Sequence, residues 1–426
     1  MKKLLLSALA SVLRGLARGI IRKYQPKIVG VTGSVGKSSA KEAIYAAVKD
    51  SFKCRVSHGN FNNELGFPLT VIGDYERMGS GTFWLRVVVG GFRELFLGKE
   101  YPELLILEYG ADKPGDIGYL TGIVRPDVAV VTSISKTPVH VENYDGPAGV
   151  VREKRRLIEA VKDGGVVILN ADDEFVASMV EKTKGKTLTY GFGGSDVRIT
   201  DFMNVSDEYR PVGVSFKLET LGKLLPVRIE GTFGRGQAYA AAVGLAVAEA
   251  LGVNLIRASE KLSGYKALPG RMNVLKGAEG SWIIDDSYNA SPLAMTEALN
   301  TLGSLKAKRK IAVLGDMKEL GRFSEDAHKD IGKLVASACD VLLAVGEKGK
   351  VIAESAKASG MDERAVHIFD DSNDAKIVAR DIINSGDLVL VKGSQSMRME
   401  RVTAEIMAEP EKAKELLVRQ YGNWLS

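Results

Sequence analysis

Cysteine is nearly absent from the sequence. The 426 residues contain only Cys54 and Cys339, which lie far apart in the chain. Two distant cysteines can form neither a disulfide framework nor a thiolate cluster for a metal, so this pattern is typical of a protein in a reducing compartment. The sequence also contains no internal repeat and no low-complexity tract.

A strong charge of one sign is missing as well. The net charge of +5 is small for a chain of this length, and it argues against nucleic acid as the main partner. Apolar residues make up 45% and charged residues 26%, which is ordinary for a globular protein. The chain can therefore bury a core, and its length suits about two to three domains.

The first 26 residues lack an apolar run long enough to span a bilayer. Their basic start and the tripeptide Ala8-Leu9-Ala10 resemble a signal peptide, but Arg14, Arg18 and further basic residues interrupt the apolar pattern after that tripeptide. The apolar residues recur at helical spacing. We predict a basic amphipathic helix over residues 1–26 that packs on the first domain. Binding to an anionic membrane surface and removal as a signal peptide are the alternatives.

From Lys27 onward, strand-like and helix-like stretches alternate, which is typical of α/β domains. The runs KIVGVTG, ELLILEYG, DVAVVTSIS and GVVILNAD are candidate buried strands, and residues 187–230 resemble an antiparallel edge. A break at Pro269-Gly270 precedes five further strand-like runs. We predict an α/β protein with a central P-loop ATPase-like domain over 27–268, whose sheet is mostly parallel. A C-terminal Rossmann-like α/β domain would cover 269–426.

The stretch VGVTGSVGKSSAKEAIY, residues 29–45, combines a strand pattern, a glycine-rich turn and a helix pattern. The usual phosphate-loop spacing places a glycine at Val31, whereas this chain has Gly30 and Gly33 instead. Gly33 and Gly36 still allow a tight turn whose N–H groups face an anion at a helix N-terminus. Lys37 can reach the phosphates of a nucleotide and Ser38 can ligate Mg²⁺. An ordinary strand–helix turn is the alternative.

Two further side chains lie at the ends of predicted strands. Glu108 ends the apolar run LLILE, where its carboxylate would lie at the ligand-binding edge of the sheet and could hold Mg²⁺. His140 comes after the next buried strand in a proline-containing loop, and imidazole is a common metal ligand. A surface acid and a structural histidine are the alternatives. Lys154 lies in the charged helix VREKRRLIEAV, and spacing alone cannot select it from its neighbours.

Taken in order, these motifs resemble the Mur ligase family. They are GVTGSVGKSS, GNFNNELGFPLT, EYGAD, HVENYDGPAGVVREKRRL, LNADD, GRMNV, DDSYNASP, LGDMKELG and LVKGSQSM. Within the family, GNFNNELGFPLT and DDSYNASP are most similar to the MurF branch. The resemblance covers about nine-tenths of the chain, from Lys27 to the last helix, at about the family's spacing.

The resemblance implies an ATP-dependent amide ligase of peptidoglycan synthesis. ATP would phosphorylate a muramoyl-peptide carboxylate, and a D-alanyl-D-alanine-like amine would displace the phosphate. Catalytic roles fall to Lys37, Glu108, His140 and Lys154. The ATP site would comprise Gly33, Ser34, Val35, Gly36, Lys37, Ser38, Ser39, Gln237, Arg271, Asp286 and Asn289. Asn62, Asn63, Lys392 and Ser394 would bind the other substrates. Two Mg²⁺ ions would be held by Ser38, Glu108, His140 and Lys154, and the side chain of Lys154 would be modified to a carbamate. Small-molecule substrates, a monomer and a cytoplasmic location are expected, with no nucleic-acid partner. A position at the inner membrane face, with the N-terminal helix on the membrane surface, is the alternative to a freely cytoplasmic enzyme.

The chain departs from the family pattern at three places. The phosphate loop begins near residue 30, so the usual N-terminal domain that holds the UDP end is not expected. Phe233 and Gln237 replace the usual His and Asn before the Ala-rich helix. The loop before His140 is about two residues longer than usual.

Two matters stay open at this point. The stretch 79–101 would present Trp84, Val87, Val88, Phe92, Leu95 and Phe96 as a broad apolar face, which suits a core or interface helix, a substrate lid or a membrane-proximal helix. The alternative functions are a Mur-type ligase acting on another peptide, a polyglutamate or a pseudomurein-type substrate, a P-loop NTPase switch, and a non-catalytic nucleotide-binding scaffold.

Overall fold

A computed structural model describes residues 2–59, 61–79, 81–138, 140–183 and 185–425. Met1 of the predicted N-terminal helix lies outside the described residues. The strands are β1 (Lys27–Thr32), β2 (Cys54–Val56), β3 (Leu104–Glu108), β4 (Val128–Val131), β5 (Val166–Asn170), β6 (Lys186–Gly191), β7 (Val197–Asp207), β8 (Arg210–Thr220), β9 (Lys223–Glu230), β10 (Asn273–Lys276), β11 (Trp282–Asp286), β12 (Arg309–Gly315), β13 (Val341–Val345), β14 (Val366–Phe369) and β15 (Asp387–Lys392).

The α-helices connect and cover these strands. They are α1 (Lys2–Tyr24), α2 (Lys37–Val48), α3 (Gly66–Ile72), α4 (Gly81–Leu97), α5 (Asp116–Thr121), α6 (Gly146–Glu159), α7 (Glu174–Ala177), α8 (Arg235–Ala250), α9 (Leu255–Ser263), α10 (Pro292–Ser304), α11 (Ser324–Ala338), α12 (Glu347–Ala358), α13 (Ser372–Ile382), α14 (Glu400–Ile406) and α15 (Ala413–Leu416).

The first nine strands form one sheet in the order β2-β3-β1-β4-β5-β6-β7-β8-β9. All pairs from β2 to β7 are parallel, and β7, β8 and β9 pair antiparallel. Every residue of β3 and β4 is buried, as expected for apolar strands with helices on both faces. The predicted mostly parallel sheet with an antiparallel edge is confirmed.

The remaining six strands form a second sheet in the order β10-β11-β15-β12-β13-β14. The five predicted strands, β11 to β15, are all parallel neighbours, and β10 adds an antiparallel edge beside β11. The predicted fold class, a P-loop ATPase-like sheet followed by a Rossmann-like α/β unit, is confirmed. The division at residues 26 and 268 stays a prediction.

Helix α1 packs on the first sheet's helical layer through the buried side chains of Leu13, Leu16, Ala17 and Ile20. It contacts α3 and α4, and Arg18 Nε donates a 2.6 Å hydrogen bond to the Gly122 carbonyl at the end of α5. The C-terminal part of the apolar stripe therefore faces the protein core, whereas Leu5 and Val12 are exposed.

Helix α4 covers most of the apolar stretch 79–101, but only part of that stretch is buried. Val87 is fully buried and Trp84 half-buried, whereas Phe92 and Phe96 are exposed. The broad apolar face expected from the sequence is thus divided between a packed side and a solvent side. In the part of the chain that the structure describes, no helix combines the length and apolar character needed to cross a membrane.

The carboxyl ends of both parallel sheets face a shared cavity. In the first sheet, β1 leads into the phosphate loop and β3 ends at Glu108. In the second, Asp286 at the end of β11 lies in register with Lys392 at the end of β15. Ligands of open α/β sheets bind at such edges, so the fold brings two ligand-binding edges together.

Candidate active site

The loop between β1 and α2 has the geometry of a phosphate-binding turn. Gly33 and Gly36 adopt φ angles of +146° and +87°, which L side chains rarely reach. A Cβ atom on Gly33 would lie 1.9 Å from Thr132 Oγ1 on the neighbouring strand end. Glycine is therefore required here, and the first N–H groups of α2 are left to bind an anion.

Glu108 lies directly beneath this loop and is buried. Its carboxylate accepts hydrogen bonds from Ser38 Oγ at 3.2 Å and from Asn62 Nδ2 at 3.0 Å. Burial alone would raise the pKa of Glu108, but the neighbouring Lys41 and Lys37 ammonium groups outweigh it, so the pKa is lowered. An ionised carboxylate beside a hydroxyl offers the hard oxygen ligands that Mg²⁺ requires, so this pair fits the metal.

Lys41 is a buried partner of Glu108 that the sequence motifs did not reveal. Its Nζ lies 3.8 Å from Glu108 Oε2 and donates hydrogen bonds to the carbonyl oxygens of Ser57 and Gly59. Lys41 thereby joins α2 to the segment that carries Asn62. The available signal was a lysine among the buried alanines and isoleucine of α2, because a fully buried lysine needs partners.

Lys37 and Lys154 meet at one backbone oxygen. Their Nζ atoms donate to the Gly33 carbonyl at 3.0 and 2.9 Å. Burial, followed by the charge of Lys37, lowers the pKa of Lys154 to about 7, and burial is also the main cause that lowers the pKa of Lys37. A buried lysine whose pKa lies near 7 is partly unprotonated at neutral pH, and the unprotonated amine is the form that adds CO₂ to give a carbamate. The residues present therefore fit this modification.

His140 makes its contacts with two carboxylates. Its Nε2 lies 3.4 Å from Asp112 Oδ1, and its Nδ1 lies 3.0 Å from Glu319 Oε2 in the loop after β12. The hydrogen bond to His140 is the main cause that lowers the pKa of Glu319. Among the described residues no group of three or more His, Cys, Asp or Glu side chains is placed to hold a metal. A metal role for His140 stays a prediction.

The opposite wall of the cavity is formed by the second sheet and the segment before it. Asp286 accepts a 2.6 Å hydrogen bond from Lys392 Nζ and a 3.2 Å bond from the Met272 N–H. Burial raises the pKa of Asp286 in spite of Lys392. Lys392 also donates to the Asn289 carbonyl at 2.9 Å. These contacts join the strand ends of β11 and β15.

Arg271 bridges the two walls. Its Nη2 donates a 3.1 Å hydrogen bond to Ser38 Oγ in the phosphate loop, and its guanidinium lies 4.0 Å from the ring centre of Tyr288. Gln237 Nε2 donates to the Arg271 carbonyl at 3.3 Å, while the buried Gln237 Oε1 has no hydrogen-bond partner among the described residues. An orphaned buried oxygen in a ligand cavity is suited to accept a bond from the ligand.

Two of the predicted substrate-binding residues have structural partners. Asn63 Oδ1 accepts from the backbone N–H groups of Leu65 and Gly66 and so fixes the start of α3. Ser394 Oγ accepts a 2.9 Å bond from the Lys318 N–H. Asn62, by contrast, reaches the Glu108 carboxylate directly.

One cavity of about 1120 Å³ is lined by every predicted site residue. These residues are Gly33, Ser34, Val35, Gly36, Lys37, Ser38, Ser39, Asn62, Asn63, Glu108, His140, Lys154, Gln237, Arg271, Asp286, Asn289, Lys392 and Ser394. Asp112, Lys318 and Glu319 also line it, and the sequence motifs assigned none of them a role.

Comparison with known proteins agrees with this architecture. The Mur ligase middle domain model matches residues 91–248, and the model of the Mur ligase glutamate ligase domain matches residues 270–395. A UDP-N-acetylmuramoyl-tripeptide–D-alanyl-D-alanine ligase of Bacillus subtilis is 29% identical over 94% of this chain and 80% of its own length. The Escherichia coli ligase of the same name is also 29% identical, over 91% of this chain and 78% of its own length.

Solved structures give the same result. The MurF ligase from Thermotoga maritima in complex with ADP superposes with a TM-score of 0.79 and 28% identity, over 95% of this chain and 84% of that one. A Mycobacterium tuberculosis folylpolyglutamate synthase superposes with a TM-score of 0.64 at 15% identity, which shows a shared fold only.

The fold and the cavity define a two-walled α/β ligase with a phosphate loop on one wall. The two matched models and the relatives show that the chain belongs to the Mur ligase family. The relatives from Bacillus subtilis, Escherichia coli and Thermotoga maritima, at 28–29% identity, are all MurF-type ligases.

Proposed function

We propose that the protein is an ATP-dependent amide ligase that joins a peptide carboxylate to an amine. The observation that carries this proposal is the bridge from Arg271 to Ser38, because it brings a second ligand-binding edge onto the phosphate loop. A nucleotide-dependent switch protein needs only the phosphate-loop wall of the cavity, whereas a ligase must hold a nucleotide, an acid and an amine together. The shared cavity of about 1120 Å³ is large enough for such a set.

The reaction begins with attack of the carboxylate on the γ-phosphate of ATP, which releases ADP and gives an acyl phosphate. The amine then attacks the acyl carbon, the C–O bond to phosphate breaks, and inorganic phosphate leaves while the amine gives up a proton. Two anions must approach each other in the first step. Lys37 and Arg271 lower that repulsion from opposite walls, in a buried site where charge interactions are strong.

Mg²⁺ would be held by Ser38 and Glu108, and it would supply charge neutralisation on the transferred phosphate. Lys154, once carbamylated, would present an anion in place of a cation at a second metal position, together with His140. The lowered pKa of Lys154 supports this assignment, because the free amine is available near neutral pH. Asp286 and Asn289 are assigned to the nucleotide, and Asn62, Asn63, Lys392 and Ser394 to the acid and the amine.

The proposed substrates rest on the relatives. We propose that the acid is a muramoyl-peptide precursor and that the amine is a D-alanyl-D-alanine dipeptide, as the names of the relatives state for those proteins. These are small molecules made for peptidoglycan, and we propose a monomeric enzyme of the cytoplasm that acts on them. A Mur-type ligase acting on another peptide is the second candidate.

Substrate-dependent release of ADP tests the proposal. The purified chain with ATP and Mg²⁺ should release ADP only when both the muramoyl tripeptide and the dipeptide are present, with one amide formed per ADP. ATP hydrolysis at the same rate with and without the two substrates would refute the proposed ligase function. ADP release that requires a different acid or a different amine would retain the proposed ligase reaction and correct the proposed substrates.

A further inference from the structure

The solvent side of α4 carries a continuous apolar stripe. Leu85, Val89, Phe92 and Phe96 recur at spacings that place them on one side of the helix, and each is 48–71% exposed. The rings of Phe92 and Phe96 stack with centres 6.3 Å apart. Four large apolar side chains in one exposed row exceed the scattered surface residues of an ordinary helix.

Helix α1 lies beside α4 and runs parallel to it. Leu16 packs against Gly91, Gly19 lies against Leu95, and Lys23 Nζ donates a 2.7 Å bond to the Gly98 carbonyl, so the contacts advance together along both helices. Both helices bury their opposite sides in the same core. Their solvent sides therefore form one surface, which we call the α1–α4 face. It comprises the stripe on α4 with Ala8, Val12, Gly15 and Arg22 on α1.

The charges that flank the α1–α4 face are basic. Arg86 and Arg93 are exposed on α4 beside the stripe, and the only acid of that helix, Glu94, has a buried Oε1 atom and lies against α1. The sequence of α1 contains no acidic residue. Beyond α1, a pocket of about 330 Å³ is lined by Arg18, Arg22 and Arg125. Arg18 and Arg125 also donate to the Gly122, Ala160 and Val161 carbonyl oxygens.

We propose that the α1–α4 face binds the surface of an anionic phospholipid bilayer. The stripe enters the boundary between headgroups and acyl chains, and the arginines on either side bind lipid phosphates. A second copy of the chain fits less well, because a symmetric contact would bring the same arginines face to face. Insertion across the bilayer does not apply, since no described helix is suited to span it.

Vesicle binding by the full chain tests this proposal. The protein is sedimented with vesicles of phosphatidylglycerol and phosphatidylcholine, and with vesicles of phosphatidylcholine alone. We expect binding to the anionic vesicles, weaker binding at high salt, and at least about a tenfold loss of binding in the double variant Phe92→Ser/Phe96→Ser.

The matched control is Leu224→Ser/Ile377→Ser, which removes two apolar side chains of 54% and 57% exposure elsewhere on the surface. It should bind vesicles as the unmodified chain does. ADP release without vesicles should be unchanged in both double variants, which shows that they are folded.

A second variant tests the role of charge. Arg22→Gln/Arg93→Gln should weaken binding to anionic vesicles by several-fold and leave any residual binding to phosphatidylcholine unchanged. Three results would overturn the proposal: no binding of the unmodified chain to anionic vesicles, equal binding to both vesicle types, or a dimer in solution that Phe92→Ser/Phe96→Ser converts to a monomer.

Discussion

The two walls of the cavity are built in different ways. On the phosphate-loop wall, Glu108 joins Ser38, Asn62 and Lys41, while Lys37 and Lys154 share the Gly33 carbonyl. On the opposite wall, each polar group is tied mainly to its own sheet, as Asp286 is to Lys392. The described polar contacts between walls include the pairs Arg271–Ser38 and His140–Glu319. The first wall is thus preorganised for phosphate chemistry, and these two pairs are contacts through which the second wall meets it.

The largest effect is expected from Lys37→Ala on the phosphate-loop wall. The loss of a buried cation at the transferred phosphate should lower ADP release by about 10³-fold or more, because preorganised charge is the main source of rate enhancement in such sites. Steady-state kinetics measures the effect. Lys49→Ala, an exposed lysine at the end of the same helix, is the control. Comparable loss in both variants would contradict a special role for Lys37.

Lys154→Ala should lower the rate by about 10²-fold, with partial recovery on addition of short carboxylates that replace a carbamate. The pKa of Lys154 is lowered to about 7, so the amine is mainly neutral above that pH and becomes protonated below it. The activity of the unmodified chain should therefore fall as the pH drops below about 7. A fully active Lys154→Ala variant would exclude the carbamate.

Lys41→Met tests whether the stability and activity of the phosphate-loop wall depend on a buried cation to which no substrate contact is assigned. It should reduce the free energy of unfolding by about 2–4 kcal/mol, because Glu108 and the Ser57 carbonyl lose their partner. ADP release should fall about tenfold, with a larger Mg²⁺ requirement. Urea unfolding and Mg²⁺ titrations measure these changes, and Lys49→Met serves as the control. An unchanged Mg²⁺ requirement would show that Lys41 does not orient Glu108 for the metal.

Arg271→Ala removes a bridge between the walls. We expect about a tenfold loss in kcat/KM, with little change in the free energy of unfolding, because each wall keeps its own contacts. Small-angle scattering should show less compaction on addition of nucleotide and substrate than in the unmodified chain. Equal compaction in both proteins would show that Arg271 does not hold the walls together.

Glu319→Gln should have the smallest effect. It weakens the 3.0 Å contact with His140 but leaves an amide that can still form a hydrogen bond, so a loss of about two- to threefold in kcat/KM is expected. Glu354→Gln, at an exposed position of α12 beside the second sheet, is the control. A loss as large as that of Lys37→Ala would give His140 and Glu319 a direct part in the chemistry.

The sequence predicts the phosphate-loop wall better than the rest of the site. Gly33, Gly36, Lys37 and Ser38 are local, and Glu108 is found because its strand ends there. Lys41 and Asp112 were missed, because their roles depend on which loops lie above them in the fold. The pairing of His140 with Glu319 joins two separate sheets, and no local pattern encodes it.

The helices show the same limit. Hydrophobic spacing predicted an amphipathic α1 and an apolar α4, and both helices are observed. Spacing alone could not tell which apolar residues of each helix would be left in solvent. Packing decides it: α1 buries Leu13, Leu16 and Ile20 and leaves Leu5 and Val12 exposed, whereas α4 buries Val87 and leaves Phe92 and Phe96 exposed.

An isotope-transfer experiment tests the central claim most directly, namely that the two walls couple ATP to amide formation through an acyl phosphate. The acid substrate is labelled with ¹⁸O in its reacting carboxylate, and the inorganic phosphate released with the amide is analysed by mass spectrometry. The account predicts that one carboxylate oxygen passes to phosphate for every amide formed. Phosphate that carries no label from the carboxylate would contradict it.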